Sequence, residues 1–460
     1  MSTRQDLGTS PAITSRDDLI SYISAGCKPA DAWLIGTEHE KFGFHPADLS
    51  PVPYEGPAGI RAILEGLMAA YGWQAVTEGA NIIALKSPEG RNWGTISLEP
   101  GGQLELSGAP LKSVHETAVE IDNHVVQVKT VGERLGIRFL GLGFSPLWSR
   151  AQTPAMPKGR YGIMTAYMPK VGVLGLDMMY RSCTVQVNLD FASEADMVKK
   201  LRVGLALQPL VTAIFANSPF TEGKPNGFLT FRAEVWRDTD RDRTGMLPFA
   251  FESGMGFERY VDYALDVPMY FVYRDGRYVD ASGKSFRRFL AGKLDVLPGE
   301  LPTIDDWADH LSTLFPEVRV KRFMEMRGAD AGLADRVTAL PAFWTGLLYD
   351  GIALDAAWDL VKNWSATERQ EMRDGVPKLA LATPVRGATL LTIARQAVAI
   401  AREGLQRRRR LDAQGRDESL HLALVESIVE SGRTDAERVL ERFHGEWRGA
   451  PAEMFRHLAY

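Results

Sequence analysis

The sequence predicts an α+β fold, a mixed sheet with helices packed on one face. Stretches that alternate apolar and polar residues with period two are scattered among segments with the three-four rhythm of helices. Strand and helix do not alternate regularly, which disfavours a parallel doubly wound sheet. The last third, from about Pro341 onward, is helical in pattern.

Along the chain, Ser15 with Asp18 has capping-box spacing and marks the first helix start. Leu34 to Phe44 alternates as a strand, and so does Thr95 to Ser107 around a Pro100-Gly101-Gly102 kink. Ser113 with Glu116 opens a helix whose apolar positions are Val114, Ala118, Ile121, Val125, Val128 and Leu135, a stripe along one side. The second half of Leu174 to Phe191 alternates again. Ser193 with Asp196 starts a long helix over 194–217. Phe228 to Trp236 and Lys321 to Arg327 read as further strands, and Ser365 with Glu368 starts another helix. No repeat or low-complexity linker divides the 460 residues. One unit is expected, with a core over about 15–350 and a helical part over about 351–460.

Composition narrows the function. With 45% hydrophobic and 24% charged residues the chain has the balance of a soluble globular protein. A net charge of −5 offers nothing to nucleic acid. No apolar run approaches the roughly 18 residues that span a bilayer, so no membrane partner is expected. The N-terminal MSTRQDLGTSPAITSRDDL lacks an apolar stretch and carries early acids, which speaks against a secretory signal or transit peptide. Its two cysteines, Cys27 and Cys183, cannot build a disulfide framework. A reducing cytoplasm is the expected location. The basic run Arg407 to Arg410 reads as a solvated helix face.

The chemistry lies on the strands. In GTEHEKFGF, Glu38 and Glu40 share a face, with His39 turned away as a structural residue. In ISLEPGGQLELSG, Gln103 and Glu105 share a face, and the kink can swing Glu99 toward it. In CTVQVNLDF, Thr184, Gln186, Asn188 and Asp190 line one face, while Cys183 falls on the apolar one as an inert core thiol. In RFMEMRGAD, Glu325 and Arg327 share a face. A half-solvated antiparallel sheet would also alternate. Its wet face, however, would carry Lys, Ser and Thr rather than carboxylates and amides. Converging carboxylates repel one another unless cations neutralise them. Oxygen donors from Glu, Gln and Asn suit Mg²⁺ or Mn²⁺ rather than zinc, and Mg²⁺ usually arrives with phosphates. The pattern therefore points to a metal–nucleotide site on a sheet face. Lys158, Arg160 and Arg232 form a second, cationic group suited to carboxylate or phosphate oxygens. Arg237, Arg241 and Arg243 alternate with Asp238, Asp240 and Asp242 and can satisfy themselves. No Walker P-loop, GxGxxG turn or zinc-type Cys/His spacing is present.

GTEHEKFGF, SLEPGGQLELSGAPL, MPKGRYGIM, LGLDMMYRSCTVQVNLDF, ANSPFTEGKPNGFL, DRTGMLPF, YVDYALDVPMYF, FPEVRVKRFMEMRGAD and LPAFWTGLLYD together closely resemble the plant-type glutamate–cysteine ligases, which also occur in proteobacteria. The resemblance is dense from about residue 35 to 350. It implies a glutamine-synthetase-like fold, a curved and mainly antiparallel sheet with helices on its outer face. It implies ATP, Mg²⁺, L-glutamate and L-cysteine as ligands, with glutathione as a possible feedback inhibitor and a monomer or weak homodimer as the assembly. By the same resemblance Arg160 and Arg232 hold the carboxylates of glutamate, beside Lys158. The metal ligands fall among Glu38, Glu40, Glu99, Glu105 and Glu325. Arg327, with Glu325, would act on the transferring phosphate, and Trp236 and Tyr270 would line the cysteine pocket. The plant enzymes carry two regulatory disulfides, at positions that here hold Ala118 with Thr338 and Ala281 with Val296, so their thiol switch should be absent. That difference and the N-terminus suggest a bacterial member. Two rivals stay open: a ligase of the same fold using another amine, and a non-catalytic nucleotide- or amino-acid-binding regulator.

Overall fold

The computed structural model describes residues 10–460, so most of the N-terminal stretch read against a leader lies outside the described residues. Its centre is a nine-stranded sheet. The strands are β1 (Ile35–Phe44), β2 (Gln74–Glu78), β3 (Asn81–Lys86), β4 (Thr95–Leu98), β5 (Leu104–Ser107), β6 (Arg138–Leu140), β7 (Thr184–Leu189), β8 (Val318–Val320) and β9 (Met324–Asp330). Their order is β8-β9-β7-β1-β5-β4-β3-β2, with β6 beside the end of β1. Every pairing is antiparallel. The mixed sheet expected from the pattern alone is thus replaced by the antiparallel one that the resemblance implied.

Helices cover the outer face. They include α1 (Arg16–Ser24), α2 (Ile60–Tyr71), α3 (Val114–Leu135), α4 (Gly159–Val171), α5 (Gly175–Arg181), α6 (Glu194–Ile214), α7 (Phe231–Val235), α8 (Ala334–Leu348), α9 (Ala366–Leu379) and α10 (Leu390–Arg408). α6 lies against β8 and β9, α8 against β7 and β1, and α2 against β2 and β3. Val185, Val187 and Leu189 of β7 and Met324 and Met326 of β9 are buried with α6 and α8 in the largest core. The helix starts form as their spacing predicts. The Ser15 and Ser365 boxes close reciprocally. The Ser113 and Ser193 hydroxyls cap Glu116 and Asp196, while those acids reach one residue further back, to the Lys112 and Ala192 N–H groups. The C-terminal helices pack on α8 through α10. No single described helix is long and apolar enough to cross a membrane.

One expected strand is absent. Phe228 to Trp236 forms the short helix α7, opened by the Thr230 hydroxyl accepting from Ala233 N–H, and continues as a 3₁₀ turn over Trp236–Asp238. The N-cap overrides the alternation, and it puts Arg232 and Trp236 four residues apart on one side of a helix. Lys321 to Arg327 is also redrawn: residues 321–323 turn the chain between β8 and β9. Arg243 pairs within the alternating stretch as expected, with Asp240 at 2.6 Å, whereas Arg237 pairs outside it, with Glu234 at 2.7 Å and Asp374 at 3.1 Å. Of the basic run read as a solvated face, Arg407 pairs with Asp350, while Arg408 turns inward to the buried Glu418.

Candidate active site

The inner face of the sheet is a lattice of polar side chains set by register. Glu40 stands opposite Glu105, which stands opposite Ser97. Glu38 stands opposite Gln186 and Glu325 opposite Asn188. Period-two alternation puts all of them on one face. Backbone and side-chain donors orient the carboxylates: Thr184 N–H donates to Glu40 at 2.9 Å, Asn188 to Glu38 at 3.1 Å, and the Ser97 hydroxyl to Glu105 at 2.7 Å.

Glu99 joins this face through the Pro-Gly-Gly turn. Gly102 has φ +83°, and a Cβ on Gly101 would sit 2.1 Å from the Tyr180 carbonyl oxygen, so only glycines allow the turn. With Glu40, Gln103, Gln186, Met178, Met179, Arg232, Trp236, Phe315 and Arg327, Glu99 lines a cavity of about 480 Å³. A second cavity of about 530 Å³ shares the wall of Arg232, Trp236, Phe315 and Arg327 and continues between α6, α7 and α9. Arg327 donates to Gln186 Oε1 at 2.5 Å, and Arg232 to the Arg327 carbonyl at 3.1 Å. A floor of carboxylates and amides therefore faces a wall with two arginines.

The electrostatics separate the acids. Burial, with Glu99 and Glu105 nearby, pushes Glu40 well above the usual carboxylate range. Burial and Glu105 raise Glu38 and Glu99 as well. Glu105 goes the other way: burial alone would raise it, but the Ser97 hydroxyl and Lys158 help to bring it down to about 2. Glu325 does likewise. Burial alone would raise it, but Arg319, Lys321 and Arg327 outweigh burial and hold it well below the usual range. Arg319 is its cross-strand partner and hydrogen-bonds it, Lys321 is 2.5 Å away, and Arg327 3.4 Å. Arg319, Lys321 and Arg327 thus balance the charge of Glu325, which the sequence grouped with the metal-binding acids. Glu38, Glu40 and Glu99 are the acids that burial and neighbouring carboxylates raise, and with Glu105 their all-oxygen donors suit a divalent cation. Among the described residues no three acids are yet gathered closely enough to hold an ion unaided.

The cationic group is divided. Arg232 is on the cavity wall. Lys158 is buried at the start of α4, donates to the Leu98 carbonyl at 3.2 Å, and is lowered to about 8 by burial and Arg160. Arg160, 4% exposed, lies beside Tyr161 near Glu99 and Tyr278 rather than on the wall with Arg232. Trp236 lines the cavity as expected. Tyr270 does not: it stands behind Phe315, with its hydroxyl 3.4 Å from Asp240 and the Arg243 guanidinium 3.7 Å over its ring. Packing against the Arg243–Asp240 pair holds it one ring back from the wall. Sequence reasoning missed Arg319 and Lys321, although they alternate with Val318 and Val320. It also missed Phe315, Met178 and Met179, which carry no sequence signal.

Arg319→Met is expected to lower unfolding free energy by about 3 kcal/mol, the cost of removing one partner from a buried ion pair. Glu325 titrates below its unfolded value of about 4.3. The pair's contribution is therefore present above that pH and fades as pH falls through the folded value. Urea midpoints of both proteins between pH 7 and pH 3 check this: the gap should narrow in acid.

The same architecture is found in a solved glutamate–cysteine ligase from Francisella tularensis in complex with AMP, at TM-score 0.54 and 11% identity, covering 92% of this chain and 87% of that one. That likeness is one of fold. Residues 34–457 match glutamate–cysteine ligase family 2, and the chain belongs to that family. The chloroplastic glutamate–cysteine ligase of Brassica juncea is 56% identical over 446 residues, covering 97% of this chain and 84% of that protein. Those of Medicago truncatula and Arabidopsis thaliana are each 55% identical over 446 residues, covering 97% of this chain and 85% and 83% of theirs. These relatives are named as chloroplastic, which overturns the cytoplasmic location expected above. Few cysteines mark a reducing compartment without saying which one.

Proposed function

We propose that the cavity between the carboxylate floor and the arginine wall joins L-glutamate to L-cysteine at the expense of ATP. The observation that carries this reading is the facing of Glu40, Glu99 and Gln186 by Arg232 and Arg327 across one cavity. Its support is the family, and the relatives named as glutamate–cysteine ligases. An oxygen of the glutamate γ-carboxylate attacks the γ-phosphorus of ATP, the bond to the bridging oxygen breaks, and ADP leaves. The cysteine amine then attacks the γ-carbonyl carbon of γ-glutamyl phosphate, the bond to phosphate breaks, and the nitrogen loses its proton. Mg²⁺ held with the phosphates by Glu38, Glu40, Glu99 and Glu105 would offset the charge that accumulates on the transferring group.

The chain's own residues do the rest. Arg327, lowered to about 10 by burial and Arg319, stays charged at neutral pH and aims at a phosphate oxygen, steadied by Gln186. Glu325 holds Arg327 in place. Arg232 takes a glutamate carboxylate so that the γ end meets ATP. Such orientation can supply about 7–11 kcal/mol. Arg160 and Lys158 act from the Glu99 edge. Met178, Met179, Trp236 and Phe315 give the cavity an apolar side suited to a thiol. A pocket of that kind discriminates one group by only about 1–3 kcal/mol, so 2-aminobutyrate should react with kcat/KM within about 200-fold of cysteine.

ADP release with glutamate alone and with each of the common amino acids tests the reading. Turnover that needs glutamate and peaks with cysteine supports it. A different preferred amine would replace it with a sister ligase, and binding without ADP would make the protein a regulator.

Activity should be insensitive to mild oxidant. Cys183 is fully buried in an apolar cluster with Phe42, Leu140 and Trp148, and burial pushes its thiol well up. Cys27 lies elsewhere, next to Phe191, and both thiols are free. With 2-aminobutyrate as the amine, rates with dithiothreitol and with oxidised glutathione should agree within about two-fold, because a buried, protonated thiol does not react. A several-fold reversible difference would show a thiol switch.

A further inference from the structure

The second cavity, of about 530 Å³, differs in charge from the first. Arg232, Arg327 and Arg373 line it against the single carboxylate of Glu317, and among the described residues none of the floor acids does. The catalytic cavity, by contrast, sets Glu40 and Glu99 against Arg232 and Arg327. A cleft lined mainly by one sign of charge gathers ions of the other, so the second cavity favours an anion. Arg373 stands on α9, and its Nε donates to Glu317 Oε1 at 2.6 Å. The two side chains are 14% and 17% exposed, so both reach the cavity surface. That bond holds the guanidinium through Nε alone. Among the described residues neither terminal NH₂ group of Arg373 donates a hydrogen bond. Gly245 lines the cavity beside them and brings no side chain; a Cβ there would stand 3.6 Å from the guanidinium carbon. Backbone bonds tie the pair to the catalytic wall. The Glu317 carbonyl accepts from Arg327 N–H at 3.3 Å, and Glu317 N–H donates to the Gly245 carbonyl at 2.9 Å. Trp236, Phe315, Pro316 and Val376 supply apolar lining.

We propose that Arg373 binds the carboxylate of the incoming amino acid, so that the second cavity admits α-amino acids in preference to simple amines. This rests on the ligase reading above, which puts the ATP phosphates over the floor acids and a glutamate carboxylate on Arg232. The anionic group left over is the carboxylate of the amine substrate. The two NH₂ groups of Arg373 form the planar fork that matches its two oxygens. The reacting amine is on the adjoining carbon, and the thiol packs along the Trp236–Phe315 wall that both cavities share.

Two measurements on the full chain test this. In the first, glutamate-dependent ADP release is compared between cysteine and cysteamine, which lacks only the carboxylate. The parent should favour cysteine in kcat/KM by about 10–150-fold, the worth of hydrogen bonds to a charged group, and Arg373→Met should bring the ratio close to one. The second needs no turnover: calorimetric binding of 3-mercaptopropionate, which is cysteine without its amine, in the presence of glutamate and a non-hydrolysable ATP analogue with Mg²⁺. Arg373→Met should bind it at least about ten-fold more weakly than the parent. Arg373→Lys keeps a charge beside Glu317, so it guards against misfolding, and it should still bind about three-fold or more weakly because an ammonium lacks the fork. A parental ratio near one, a ratio unchanged in Arg373→Met, or equal binding of 3-mercaptopropionate by parent and variants would overturn the proposal. So would a rise in the glutamate KM in place of these changes, which would give Arg373 to glutamate. If no amine supports ADP release, the ligase reading fails while the binding measurement still decides Arg373.

Discussion

Glu105→Gln and Glu99→Gln should each lower turnover by about a hundred-fold or more, since electrostatic contacts at a transferring phosphoryl group are worth several kcal/mol. Glutamine keeps the shape of each side chain, and the Ser97 hydroxyl can still meet an amide oxygen at position 105. What is lost is charge. Glu99 is buried and raised by burial and by Glu105, so in the ionised state it weighs against the folded protein. A carboxyl raised in the folded state contributes stability below its unfolded pKa and loses it as pH rises through the folded value. Near neutral pH, Glu99→Gln should therefore melt no lower than the parent. The diagnostic readout is the rise in melting temperature on adding Mg²⁺ and ATP, which should shrink in both variants by linkage. Parental turnover at saturating Mg²⁺ would remove these acids from the metal site.

Arg232→Lys should raise the glutamate KM by about 10–150-fold, the range for a lost charge-assisted bidentate contact. The ATP KM should stay within about three-fold. Lysine keeps the charge but not the planar fork. Arg232 is 3% exposed and set on a helix by the Thr230 cap, so a flexible ammonium cannot regain the geometry by moving. Initial rates with each substrate varied in turn separate the two constants. A matching rise in the ATP KM would place Arg232 at the phosphates and leave the glutamate carboxylates without their wall.

Much of the fold was legible because local rules and tertiary structure agreed. The capping serines stood where helices begin, and alternation in β1, β4, β5, β7 and β9 placed each acid on its face. β2 and β3 escaped notice because they form a short hairpin at the sheet edge, where Gln74 and Ala75 are exposed and no strict apolar alternation is needed. Phe228 to Trp236 misled because one N-cap hydrogen bond outweighs a short alternating pattern.

Alternation assigns residues to faces but says nothing about which strands are neighbours. From the sequence alone, the side chains of Glu38, Glu40, Glu105, Gln186 and Glu325 could be assigned to polar faces, and the chain could be read as oxygen-rich there, poor in reactive thiols and without a P-loop. Register then set Glu40 opposite Glu105 and Glu325 opposite Asn188. Only that pairing, with the β8 neighbour Arg319, showed that Glu325 carries counter-ions from its own and the adjacent strand. Tertiary packing likewise put Trp236 on the wall and left Tyr270 behind Phe315. The physical reason is range: caps and strand periodicity act within a few residues, whereas a buried charge is decided by whichever distant side chain the fold brings within a few ångströms.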